Sequence, residues 1–284
     1  MSTTSDLVAT GAQSGLPAPK GAASHSRLTF PRLVRAEWLK LKTLRSTWIT
    51  LAAAVVVLVL AAGLIANHLH GNLMNPGAFN DPGDRDVLTA PLRGFGVTQL
   101  IMGVLGVLSI TGEYATGMIR ATFVAVPKRL PVLWAKLLVF AVLGFSAMLV
   151  ASFAAFFTSQ QILGSYGIGL AAPHALRIVV ALAGYLTLVG LLGLGLGFIV
   201  RSTSGGIALL VGVLLVAPGI LAALGTSWAT TASHYLPLSA GQAMFSDTPA
   251  IGGELSPGGG VTVMVVWVAA SVLGAMVVVT RRDA

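Results

Sequence analysis

Apolar residues in this chain fall into long, nearly unbroken runs. A helix needs roughly 20 apolar residues to cross a hydrocarbon layer about 30 Å thick. Six runs meet that length, at about 48–66, 94–111, 133–157, 178–200, 206–224 and 261–280. The expected fold is an all-α integral membrane protein with six transmembrane helices.

Two stretches between or before the runs carry a different pattern. In "LTFPRLVRAEWLKLKTLRSTW", Phe30, Leu33, Val34, Trp38, Leu41 and Leu44 recur at three- and four-residue steps. Arg32, Arg35, Lys40, Lys42 and Arg45 fill much of the remainder, with Glu37 among them. This predicts a basic amphipathic helix over 27–47, lying in the headgroup region. The alternative is a plain positively charged flank to the first span, but the apolar stripe is longer than a flank needs. Residues 1–26 are rich in Ser, Thr, Ala, Gly and Pro and lack an apolar core, so they read as a disordered cytoplasmic tail.

The second stretch is "GEYATGMIRATFVAVPKR", residues 112–129. As one helix it would place Glu113, Gly117 and Arg120 on one face, and Tyr114, Met118, Ala121 and Ala125 on another. Glu113 and Arg120 would then be about 10.5 Å apart, too far to pair, which leaves each for a partner elsewhere. Pro127 would stop the helix, with Lys128 and Arg129 at its exit toward the membrane. A connection that only fixes topology needs neither this length nor an acid at its start. A short amphipathic helix that docks a soluble partner accounts for both.

Composition agrees with a membrane chain. The 284 residues are 55% hydrophobic and only 9% charged, and the mean hydropathy is +0.88. Soluble domains carry about a quarter charged residues. The absence of cysteine excludes disulfides and thiolate chemistry.

The net charge of +8 reads as orientation rather than nucleic-acid binding. Lys and Arg number seven in the N-terminal segment, then two, four, one, one, none and two in successive connections. Alternate sides hold fourteen and three, which predicts both termini inside. The 112–129 stretch is then cytoplasmic. Trp134 would anchor at the interface, and Lys136 would snorkel outward from the third span.

The spans hold no acid and no central base, which argues against an ion-coupled transporter. Their polar residues Thr98, Gln99 and Ser109 are candidates for a solute-facing or dimer-facing surface. Glycines at 103, 106, 193, 195 and 197 favour close helix packing. The last external segment, 225–260, with Trp228, Tyr235 and Phe245, reads as an interfacial or re-entrant element or as an exposed loop. There is no phosphate-binding loop and no HExxH. The histidines are scattered, so no metal site is expected. No nucleophile, base and orienting acid share a motif.

The chain resembles the membrane permease subunits of bacterial ABC-2 type ABC transporters. The residues that carry the resemblance are "RAEWLKLKTLRSTW", "TGEYATGMIRATFVAVPKRLPVLWAKLL" and "YLPLSAGQAMF". It implies a six-helix permease that dimerises, with itself or a sister permease, and binds separate cytoplasmic ATPase subunits. The ATP and magnesium would sit on those subunits, with no cofactor on this chain. The connection between spans two and three would be the coupling helix, with Glu113, Tyr114, Gly117, Arg120, Pro127, Lys128 and Arg129 as coupling residues. The lead-in helix would also touch the ATPase near Arg35, Glu37, Trp38, Lys40 and Lys42. The implied function is export across a bacterial plasma membrane. The alternatives are a non-transporting scaffold or sensor that anchors a cytoplasmic partner, and, less favoured, a membrane-embedded enzyme.

Overall fold

The computed structural model describes residues 29–74, 86–247 and 254–281. The tail at 1–26 lies outside the described residues. Among those described the chain is helical, with no strand. Helix α1 (Phe30–Thr43) turns at Leu44 into α2 (Arg45–Leu73). A 3₁₀ turn (Ala90–Phe95) leads into α3 (Gly96–Ala115), which is followed by α4 (Met118–Ala125) and α5 (Leu130–Leu163). Next comes α6 (Ala175–Val200). It is followed by α7 (Thr203–Val211), a π-helical turn (Gly212–Val216) and α8 (Ala217–Leu224). Two short helices, α9 (Ser227–His234) and α10 (Pro237–Met244), precede α11 (Pro257–Arg281).

Six helical stretches among the described residues are long and apolar enough to span a membrane: Arg45–Leu73, Ala90–Ala115, Leu130–Tyr166, Ala175–Val200, Thr203–Leu224 and Pro257–Arg281. All six expected runs are present, each extended by a few residues. Helices continue past the apolar run because the backbone ladder does not stop where hydrophobicity does. In α5, for example, Ser159, Gln160 and Gln161 are still helical.

The bundle is built around α6. Of its most apolar window 72% is buried, against 11% for the fifth span. Lipid tails give helices no hydrophobic reason to associate, so close backbone packing must do it. Glycine provides that. A Cβ on Gly106 of α3 would overlap the carbonyl oxygen of Gly190 on α6, and one on Gly193 would overlap the carbonyl of Gly103. Gly195 faces Ser271 of α11 instead. The α2–α5 pair uses small side chains differently. Ala54, Leu58, Ala62 and Ala66 form a fully buried stripe at steps of four, while Val56, Leu60 and Leu64 point outward.

Two expectations need correction. Residues 112–129 are not one helix. α3 runs on through Glu113 to Ala115, and Gly117 adopts a left-handed conformation (φ 71°) before α4 begins. Only glycine enters that region without penalty. Val126, which leaves the helical conformation before Pro127, then closes α4. Glu113 and Arg120 therefore belong to different helices.

Segment 225–260 is the second case: among its described residues, 225–247 and 254–260, α10 is packed into the bundle rather than exposed. Pro237, Ala240, Gly241 and Met244 of α10 are buried. A Cβ on Gly241 would overlap the Tyr185 ring of α6, and one on Gly260 of α11 would overlap the Ala240 carbonyl. Phe245 is buried against Phe95, whereas Trp228 and Tyr235 are exposed.

Candidate functional site

The end of the bundle shared by α1, the C-terminus of α3, α4 and the start of α5 holds most of the described charge. Four side chains meet there in a closed ring of alternating sign. Lys136 of α5 donates to Glu37 Oε2 at 2.7 Å and to Glu113 Oε1 at 2.8 Å. Lys40 donates to Glu37 Oε1 at 2.8 Å and to Glu113 Oε1 at 3.1 Å. Side-chain exposure is 4% for Lys136, 6% for Glu37 and 10% for Glu113, rising to 29% for Lys40. The two acids and two bases cancel, as a buried cluster requires.

The ring sits on the inner face of α1, whose buried residues are Leu33, Glu37 and Leu41. Trp38, expected on the apolar stripe, is exposed, as are Arg35 and Lys42. Burial raises the Glu37 carboxyl, but Lys136 and then Lys40 outweigh it, so its pKa lies below the usual carboxylate value. Burial likewise lowers the Lys40 ammonium, and Glu37 and then Glu113 outweigh that, so its pKa lies above the usual lysine value.

Lys136 does not snorkel. It is buried and held by both carboxylates, while the neighbouring Trp134 is exposed. Its place six residues past Leu130, where α5 starts, gave little hint of this, because a lone lysine near a helix end usually reaches water.

Around the ring, two arginines close the final helix. Arg129 Nη1 donates to the carbonyl of Val279, and Arg201 Nη2 to that of Val278, both at 3.2 Å. Carbonyls in the last turn of a helix lack backbone partners, and cations favour that end. Arg129 also lies over the Phe123 ring and Arg201 over the Tyr114 ring.

Helix α4 is pinned from beneath by Ile119 and Phe123. Its outer surface shows Met118, Arg120, Ala121 and Val124, with Pro127 and Lys128 just beyond. Val124 is 82% exposed. The expected coupling residues thus divide. Glu113 is inside the ring, Tyr114 and Arg129 are half-buried, and Gly117, Arg120, Pro127 and Lys128 are at the surface.

Thr98 and Gln99 do not line a surface. Both are buried, and the Tyr185 hydroxyl of α6 donates to Gln99 Oε1. Ser109 is partly buried and donates to the Gly106 carbonyl. At the opposite end, a cavity of about 350 Å³ is lined by Arg93, His234, Gln242 and Glu254 among others. Nearby, His174 Nδ1 and Asp247 Oδ1 are 2.8 Å apart. Among the described residues, no three His, Cys, Asp or Glu side chains group as metal ligands.

Residues 33–219 match the family described as ABC-2 family transporter protein. The matched segment begins within α1, ends within α8, and contains all four members of the ring as well as α4. No curated protein matches the chain.

Proposed function

The chain belongs to the ABC-2 transporter family and is a multi-pass membrane component of transport, and on that premise we propose that it is the permease subunit of an ATP-driven exporter in a bacterial plasma membrane. Hydrolysis takes place on separate cytoplasmic ATPase subunits, which hold the ATP and magnesium. A second permease copy, or a sister permease, completes the path. The basic end of the bundle faces the cytoplasm, as the asymmetry of Lys and Arg supports.

The observation that carries this reading is the surface of α4. On this short helix a valine that is 82% exposed lies beside an exposed methionine and alanine. Apolar residues ringed by Arg120 and Lys128 suit a helix seated in a partner's groove. Glu113 and Tyr114 serve from inside, holding the span to which α4 is hinged at Gly117. Arg35, Trp38 and Lys42 give α1 an outer face available to the same partner.

The test is to purify the chain from its native membrane with its ATPase, reconstitute both in liposomes, and follow ATP-driven solute movement. ATP-dependent movement is expected. A chain that holds an ATPase but moves no solute would make it an anchor or sensor instead.

A further inference from the structure

Building on the permease reading, we propose that Lys136 is a positioning residue for coupling, which forces α1 and the end of the second span to move as one body with the third. Its sequence context places it at the opening of the third span but does not show its partners. The geometry does.

Glu37 occupies the middle of the buried stripe of α1, between Leu33 and Leu41. An apolar residue there would give simple adhesion to α5. Buried ion clusters stabilise a fold less well than apolar packing of the same volume. Stability therefore does not account for four charges at this junction. Directional pairing does, since hydrogen-bonded ions hold one register and reject neighbouring ones. Lys136 is the member that reaches both other elements from the membrane side, taking Glu37 at 2.7 Å and Glu113 at 2.8 Å with almost no exposure.

The ring's position matters as much as its chemistry. Glu113 is four residues before Gly117, the left-handed joint to α4. A push on α4 reaches the second span at that joint and meets the ring within one helical turn. The ring also keeps an unused acceptor. Both lysines bond Glu113 Oε1, and its buried Oε2 has no partner. A Lys40 that exchanges between these two oxygens stays paired to the same carboxylate, so α1 and the second span remain joined.

The test uses the permease in complex with its ATPase in lipid nanodiscs. Lys136→Met leaves two carboxylates facing Lys40 alone. Glu37→Gln with Lys136→Met removes one charge of each sign and keeps the Lys40–Glu113 pair. The single variant is expected to melt lower and to lose stimulated ATP hydrolysis. The double variant is expected to recover its melting temperature while stimulated hydrolysis stays down about tenfold, within the range of coupling between sites. A double variant that regains wild-type stimulation would overturn the proposal. So would one that melts as low as the single variant, because charge balance would not then be what the ring supplies. If the wild-type complex itself shows no stimulation, the permease reading fails first and takes this inference with it.

Discussion

Gly106 on the second span rests against the carbonyl of Gly190 on the fourth, with no room for a side-chain carbon between them. The nearest obstacles are backbone atoms, which cannot rotate away. Gly106→Val is therefore expected to destabilise the protein by about 1–3 kcal/mol or more. A thermal melt in detergent compares it with Gly112→Val, where nothing lies within 4 Å and the change is expected to be small.

Removing Glu113 should act twice. Glu113→Ala leaves Lys40 and Lys136 facing Glu37 alone, an uncompensated buried charge that costs about 3–5 kcal/mol. Under the permease reading it also loosens the span next to the α4 joint. Membrane insertion is expected to persist while transport-coupled ATP hydrolysis falls. Unchanged coupling in a reconstituted complex would remove Glu113 from the coupling path.

Val124 provides the complementary case. It touches little within the chain, so Val124→Asp should shift stability by no more than about 0.5 kcal/mol. If α4 seats in an ATPase groove, the same change should weaken association roughly tenfold or more. Titrating the permease with its ATPase reads this directly. Equal affinity for both forms would place the docking surface elsewhere.

These contrasts also show what was legible in the sequence. The spans were, because hydrocarbon thickness demands a run of apolar residues that nothing else mimics. The α1 helix was legible from its period, although its inner face centres on Glu37 rather than on Trp38. The ring was not. Glu37 and Lys136 are 99 positions apart and Lys40 and Glu113 are 73 apart, and one sequence gives no measure of such separations. The break at Gly117 had a local signal, a glycine after a run of helix, yet the charged periodicity around it favoured a single helix. Thr98 and Gln99 looked like surface residues because polar groups in a span suggest water. Here Tyr185 satisfies the amide from within the bundle.

Acid should expose the ring. The Glu37 carboxyl in the folded protein titrates below its ordinary value of 4.5. Its contribution is therefore complete above that value and is lost as pH falls through the folded pKa. Lys40 is raised above 10.5, so its contribution is complete below that and is lost only in stronger alkali. Between these limits Glu37 and Lys40 should add no pH dependence. Melting temperatures of wild type and Glu37→Gln are expected to differ by a constant amount at neutral pH and to converge in acid. A gap that persists at the lowest pH would show that Glu37 acts through packing alone.

The π turn at Gly212–Val216 alters the meaning of the fifth span. A wider turn consumes extra residues, so the side chains beyond it are displaced in phase from those before it. Gly206, Leu210 and Leu214 hold one covered azimuth, and no residue of Ala217–Leu224 is buried after them. The span is thus two half-helices set at different bearings about one axis. Whatever packs along its first half meets a different line of side chains on the second.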